Sequence, residues 1–311
     1  MIKREGFYFQ SSNHVNRIFA CRWKPEGEPR GIVQIAHGMS EHVFRYDGYA
    51  RHLAERGFVV VANDHLGHGR SVESEEDFGY FGEKDGWASM VKDIGRLRKI
   101  TISRYGDIPY FLLGHSMGSF LARTYALQAD AKGLAGLLLL GTGHMPQVAV
   151  RMGRQITAVE ELRVGLKGRS QDAYQLVVSA LNSKIDKPET RLDWLTRDKA
   201  HIKQCMTDKR WGFIFTVRGY MDFFEGVEVL DHLSNLKKMD KALPVIFLSG
   251  DNDPVGMYGL GVKHVFFDFM RADMQDISLR MYPDARHEIL NEINRDEVIR
   301  DIDGWIASKI I

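Results

Sequence analysis

Three kinds of residue in this sequence are placed to do chemistry together: a serine between glycines, aspartates after an apolar run, and a late histidine. Gly114-His115-Ser116-Met117-Gly118 follows the apolar run Phe111-Leu112-Leu113 and precedes residues 119–127, whose spacing is helical. Strand, sharp turn and helix in that order make a nucleophile elbow, in which a strained turn projects the serine hydroxyl. Glycine suits positions 114 and 118, because a Cβ at either would meet the neighbouring strand and helix. Ser116 is the candidate nucleophile, and the N–H of Met117, at the helix start, would face a developing oxyanion.

A serine hydroxyl needs a base, and the base needs an orienting carboxylate. After such an elbow the order along the chain is serine, acid, histidine. Of 12 histidines, only His144, His201, His232, His264 and His287 follow Ser116. His287 lies in Tyr282-Pro283-Asp284-Ala285-Arg286-His287-Glu288, between the last strand-like run and the last helix, and is the expected base. His264 falls within a helical pattern and reads as a solvated or packed side chain. For the acid, Ser249-Gly250-Asp251-Asn252-Asp253-Pro254 offers two aspartates. Asp251, directly after glycine, suits a turn-forming role. Asp253, further out, is favoured, with Asp251 as the alternative. A second oxyanion donor is expected from the N–H of Met39, where His37-Gly38-Met39 leaves its strand beside the elbow. His37 itself reads as a structural hydrogen-bonding residue.

Two other clusters invite a functional reading. Asp64, His65 and His68 suggest metal, but their spacing matches no i, i+4 ligand pair, and Gly67 and Gly69 fit a loop folded under the site. Lys92, Arg96, Arg98, Lys99 and Arg104 make a basic face on a helix over 87–105, expected to be a solvated surface, with phosphate-headgroup attraction as the alternative.

The elements that must position these residues alternate. Short strands are expected at 6–10 and 16–23, then at 31–36, 58–62, 108–113, 134–140, 243–250 and 277–282. Helices are expected at 46–56, 87–105, 262–271 and 289–310. This pattern argues for a mostly parallel central sheet with helices on both faces, and ligands in such sheets sit beyond the carboxyl ends of the strands. Between 142 and 239 the alternation stops and helical or irregular segments replace it. The expected organisation is therefore a core domain at 1–141 and 240–311 with a helical cap inserted at 142–239. Within the cap, Met145, Val148, Met152, Ile156, Val159 and Leu162 fall near helical spacing, with Met206, Trp211, Phe213, Phe215, Phe223 and Phe224 later. These are expected as core, with an acyl-sized groove as the alternative.

Composition narrows the class. The chain of 311 residues is 44% hydrophobic and 27% charged, as in an ordinary globular protein. Its formal net charge of +1 gives no reason to expect nucleic acid. Cys21 and Cys205 form no metal-ligand spacing and read as free thiols in a reducing compartment. No apolar run near the start resembles a signal peptide and none reaches membrane-spanning length, so a cytoplasmic location is expected, with transient membrane-surface contact left open.

Together these segments resemble the α/β-hydrolase superfamily and, within it, the lysophospholipase and monoacylglycerol lipase group of serine hydrolases, of the serine aminopeptidase S33 type. The segments carrying the resemblance are His37-Gly38-Met39-Ser40-Glu41-His42 with Arg45-Tyr46, Asn63-Asp64-His65-Leu66-Gly67-His68-Gly69-Arg70-Ser71, the Ser116 elbow, the Asp253 loop and the His287 loop. The resemblance implies an α/β-hydrolase fold, a triad of Ser116, Asp253 and His287, oxyanion donors Met39 and Met117, and no cofactor or metal. It further implies ester hydrolysis of a small molecule, with a monoacyl lipid, either monoacylglycerol or lysophospholipid, as the leading substrate. The alternatives are a short-chain carboxylesterase, an amidase or aminopeptidase using Glu160 or Glu161 to anchor an amino group, and a non-enzymatic binding protein on the same scaffold.

Overall fold

Continuous apolar runs such as Phe58-Val59-Val60-Val61 can only be satisfied between two covering layers, and they form the middle of one eight-stranded sheet. The computed structural model describes residues 2–230 and 232–310; Met1, Asp231 and Ile311, which fall within the expected domain ranges, lie outside the described residues. In chain order the core begins β1 (Lys3–Gln10), β2 (Arg17–Lys24), β3 (Gly31–Ala36), α1 (Asp47–Glu55), β4 (Phe58–Asn63) and α2 (Gly86–Tyr105). It continues with β5 (Tyr110–His115), α3 (Met117–Ala126) and β6 (Gly136–Leu140). Among the described residues, the helices α4 (Gln147–Val164), α5 (Gln171–Val178), α6 (Lys199–Thr207), α7 (Val217–Leu230) and α8 (Leu233–Leu236) follow before the sheet resumes. The chain ends with β7 (Val245–Gly250), α9 (Leu260–Arg271), β8 (Ile277–Tyr282) and α10 (Arg295–Ser308).

The strand order is β1-β2-β4-β3-β5-β6-β7-β8. β1, β2 and β4 pair antiparallel, and every pairing from β4 to β8 is parallel. Alternation within strands splits the core in two: Leu137 and Leu139 of β6 face one layer, Leu138 and Leu140 the other. The first layer is covered by α2, α3 and α9, and the second by α1 and α10. The expected fold class is what the chain adopts.

Several local expectations need correction. Residues 289–310 do not form one helix: the chain makes a single turn at Ile289–Asn291, is extended at Glu292, and enters α10 at Arg295. The break follows from Glu292, whose buried carboxylate accepts from the N–H groups of Arg197 (3.1 Å) and Arg286 (2.9 Å). Arg98 is not on a solvated face: it is buried, and its guanidinium donates to the carbonyls of Asp130 and Lys132. Among the segments expected to be helical or irregular, Lys199–Thr207 is a helix, started by Asp198, whose carboxylate caps the N–H groups of Ala200 and His201. Most of the apolar stripe on α4 is not core. Val148, Met152, Val159 and Leu162 are exposed, Leu162 at 89%, while α4 buries Val150, Gly153, Thr157 and Glu160 instead. Phe215, Phe223 and Phe224 do join the core.

Glycine content separates positions that the sheet demands from positions that it does not. A Cβ on Gly118 would overlap the Ala36 carbonyl and stand 2.5 Å from His37 O, backbone atoms that cannot move aside. Gly304 in α10 has open space around it. Gly118→Ala is expected to lower the unfolding free energy by about 3 kcal/mol, and Gly304→Ala to raise it by about 0.5–1 kcal/mol. Urea unfolding of the two variants beside the parent checks both signs.

Candidate active site

β5 ends at His115 and the chain turns at once into α3. Ser116 sits at that turn with φ 52° and ψ −122°, a region costing a non-glycine residue about 1–3 kcal/mol. Its N–H donates to Leu140 O at 3.0 Å, and its carbonyl accepts from Ser119 N at 2.8 Å and Ser119 Oγ at 2.6 Å. The turn also needs α3 to lie directly on β5: a Cβ on Gly114 would stand 2.7 Å from Ser119 Cα.

Asp253 and His287 come from the loops after β7 and β8, and the fold brings them into contact. His287 Nδ1 donates to the Asp253 carboxylate at 2.9 Å to Oδ2 and 3.0 Å to Oδ1, with both residues almost wholly buried. Asp251 is exposed and does different work, its Oδ1 accepting from Asp284 N at 2.7 Å and bracing the histidine loop. With Nδ1 turned to Asp253, Nε2 is the ring nitrogen of His287 without a hydrogen bond among the described residues, and a Cβ on Gly141, after β6, would stand 3.2 Å from the ring at Nδ1 and Cε1. No hydrogen bond joins Ser116 Oγ to His287 among the described residues; contacts of this kind often close only with substrate present. His264 is exposed and pairs with Asp268 on its own helix, as expected.

The loop after β3 reaches the same point, since a Cβ on Gly38 would stand 3.1 Å from Ser116 Cβ. Among the described hydrogen bonds, none uses the N–H of Met39 or of Met117. Two unpaired amides beside one serine can receive a negatively charged oxygen. Beneath them lie His37, His65 and His68, with ring centroids 4.1 Å (His37–His65) and 5.1 Å (His37–His68) apart. Their nitrogens serve backbone: His37 Nε2 accepts from His65 N at 3.0 Å, and His68 Nε2 accepts from Ser40 N at 3.2 Å. Burial pushes the pKa of His37 and of His68 down to about 3, and that of His65 well below its ordinary value, so all three are neutral. The Asp64 carboxylate accepts from Val43 N (2.8 Å) and Arg70 N (2.7 Å) and does not converge with the histidines on a cation; burial raises its pKa to about 6.

A second polar cluster ties these loops together. Glu41 accepts from Gly38 N, from Tyr46 Oη at 2.8 Å and from Arg45 Nη1 at 2.6 Å. Arg45 also forks onto Glu288, the neighbour of His287, at 2.8 Å on each oxygen. His201 of α6 donates from Nε2 to Glu288 Oε2 at 2.9 Å. His201, Cys205 and Glu288 have ligand atoms close enough together to hold a metal ion. However, Arg45 Nη2 lies 2.8 Å from Glu288 Oε2, 2.9 Å from His201 Nε2 and 3.0 Å from Cys205 Sγ, so a guanidinium fills the place a metal ion would take. Burial alone would raise the Glu41 and Glu288 carboxyls, but Arg45 and the histidines beside them outweigh it and hold both well below the usual range. Burial likewise opposes charge on His201, yet Cys205 and Glu288 raise its pKa to about 9. None of these roles was read from the sequence. The available signal was the i, i+4 spacing of His201 and Cys205, together with the charged residues flanking His37-Gly38-Met39 and His287.

The expected acidic anchors for an amine are spoken for or turned to solvent. Glu160 is buried and accepts from Ser170 Oγ and Asp172 N, capping α5, and Glu161 is exposed.

The chain matches the family described as Serine aminopeptidase, S33 over residues 27–294. A monoglyceride lipase of Mus musculus is 24% identical over 301 residues, spanning 94% of this chain and 88% of that one. A monoacylglycerol lipase of Mycolicibacterium smegmatis is 25% identical over 296 residues, spanning 94% of both. Among solved structures, a highly thermostable carboxyl esterase from Bacillus coagulans, in complex with glycerol, superposes with a TM-score of 0.91 at 32% identity over 100% of both chains.

The three buried histidines set an acid limit. Their folded pKa values lie below the ordinary 6.5, so the unfolded chain takes up protons first as pH falls. Stability from this source is complete above about pH 6.5 and is lost as pH falls toward 3. Three protons correspond to a slope of roughly 4 kcal/mol per pH unit once well below pH 6.5. Urea midpoints measured from pH 7.5 to 5 are expected to fall steeply; a flat profile contradicts neutral burial.

Proposed function

Because the chain belongs to the serine aminopeptidase S33 family of α/β-hydrolases and is a carboxylic-ester hydrolase, we propose that it cleaves monoacyl lipids through a Ser116–His287–Asp253 triad. The observation that carries this reading is the buried His287–Asp253 pair at the sheet edge where the Ser116 elbow projects. His287 Nε2 takes the proton from Ser116 Oγ as that oxygen attacks the ester carbonyl, and returns it to the leaving alcohol. Asp253 holds the imidazole with its proton on Nδ1 and stabilises the imidazolium. The N–H groups of Met39 and Met117 receive the oxyanion, each donor contributing about 3 kcal/mol at the transition state. Water activated by the same histidine then frees the acid from Ser116. No step calls for a cofactor or a metal ion.

The substrate class rests on the monoglyceride and monoacylglycerol lipases to which the chain is similar. We assign residues 142–239 the role of a cap over this edge. The apolar side chains exposed on α4 support contact between that cap and a lipid surface. No helix among the described residues is long and apolar enough to cross a membrane. The two free cysteines suit a reducing, cytoplasmic setting. Similarity to a carboxyl esterase keeps short esters as the second reading.

Turnover of p-nitrophenyl esters from acetyl to palmitoyl separates the two. A maximum at medium or long chains, absent in Ser116→Ala, is the expected outcome; activity confined to acetyl and butyryl esters identifies a short-chain esterase. Asp253→Asn is expected to lower kcat by about 10⁴-fold, whereas Asp251→Asn leaves it within a few-fold. For the lipid surface, Val159→Glu with Leu162→Glu is expected to slow hydrolysis of monoacylglycerol in vesicles while leaving that of p-nitrophenyl butyrate unchanged.

A further inference from the structure

The inserted segment is not uniform in how it meets the core. In its first part, Arg154 of α4 pairs with Glu228 and Glu160 caps α5, and between these helices Arg169 donates to the carbonyls of Phe78 and Glu76 (2.9 Å to Glu76), on the core segment that follows β4. Residues 192–213 instead bind both loops that flank Ser116. On the histidine loop, Glu288 N donates to Leu195 O at 2.7 Å, His201 Nε2 donates to Glu288 Oε2 at 2.9 Å, and the Trp194 ring lies 5.1 Å from that of His287. On the loop carrying Met39, His42 Nε2 donates to Asp208 Oδ2 at 2.6 Å, Gly212 N donates to Ser40 O at 2.8 Å, and Ser40 Oγ donates to Phe213 O at 2.6 Å. Arg45 joins the two loops beneath this arm through Glu41 and Glu288, with Cys205 Sγ 3.0 Å from its guanidinium.

We propose that residues 192–213 are a positioning part of the catalytic apparatus, in which His201 and Asp208 hold the base loop and the oxyanion loop in register across Arg45. The inference rests on the reading of Met39 and His287 given above. It separates the insertion into an arm that fixes geometry and a first half, α4 and α5, that covers substrate. Neither His201 nor Asp208 touches the reacting atoms. Each acts on a residue one to three positions from one that does: His201 through Glu288 on His287, and Asp208 through His42 on Met39.

A covering role and a positioning role differ in what they change. Loss of cover alters KM and the preference for chain length. Loss of register lowers kcat by a common factor for every ester, since a displacement near 1 Å already costs about a hundredfold. Asp208→Ala, Asp208→Asn and His201→Ala are assayed beside the parent and Ser116→Ala on p-nitrophenyl acetate, butyrate and octanoate. The rate of fluorophosphonate labelling at Ser116 is measured in parallel. For Asp208→Ala and His201→Ala the expected result is a fall in kcat of about tenfold or more on all three esters with KM within twofold, and an equal fall in labelling rate. Asp208→Asn, which keeps an acceptor for His42, recovers most of the loss. A change confined to KM or to the octanoate:acetate ratio overturns the proposal, as does an unchanged kcat. If His201→Ala fails to fold, the Asp208 pair, at a half-exposed position, decides alone. Ser116-independent turnover by the parent overturns the triad reading itself, and the inference with it.

Discussion

A serine held at positive φ is the constraint on which this molecule depends. At φ 52°, Ser116 occupies a conformation that no isolated chain would favour, and it persists only because the surroundings over-determine it. One backbone hydrogen bond from the adjacent strand fixes its N–H, and the first turn of α3 fixes its carbonyl. Bringing α3 that close requires that nothing project from positions 114 and 118. The parallel sheet supplies the rest. Loops leaving β3, β5, β7 and β8 on one edge meet within a few ångströms, although their residues are as far apart in sequence as 38 and 287.

The same edge holds a cluster of buried charge beyond the one carboxylate of the proposed triad. Arg45 and protonated His201 face Glu41 and Glu288, so the cluster is balanced overall. Such a cluster is weak as a source of net stability, because desolvating four charges offsets most of their attraction. Its directional bonds instead fix where loops lie, and removing any one member leaves an uncompensated charge in the interior. Neutral histidines do the corresponding work on the other side of Gly38, where burial keeps them uncharged and their nitrogens hold backbone amides.

The contrast between what sequence reveals and what it conceals follows from this division. The elbow, the order of serine, aspartate and histidine, and the alternation of strands and helices are local patterns, so Ser116, Asp253 and His287 can be proposed from sequence alone, and in the structure it is Asp253 rather than Asp251 that bonds the histidine. The Arg45 cluster draws on positions 41, 45, 201, 205 and 288, and no period in the sequence connects them. Periodicity also shows that a helix has an apolar stripe without showing which way it faces. Hence Leu162 and Val159 on α4 were expected inside and lie outside, while Arg98, expected in solvent, is sealed beneath Asp130 and Lys132.

The seating of α4 bears on how this scaffold can change over time. The helix rests on α7 where Gly153 lies flat against the Phe224 ring, with no room for a side chain between them. A single small-residue notch of this kind is an interchangeable joint. Helices of other lengths and surface characters can be exchanged on it so long as the notch is kept. If α4 and α5 cover substrate as proposed, diversification of what the protein accepts is expected to accumulate at the exposed Val148, Met152, Val159 and Leu162 rather than at Gly153 or at Arg169, which holds the carbonyls of Glu76 and Phe78.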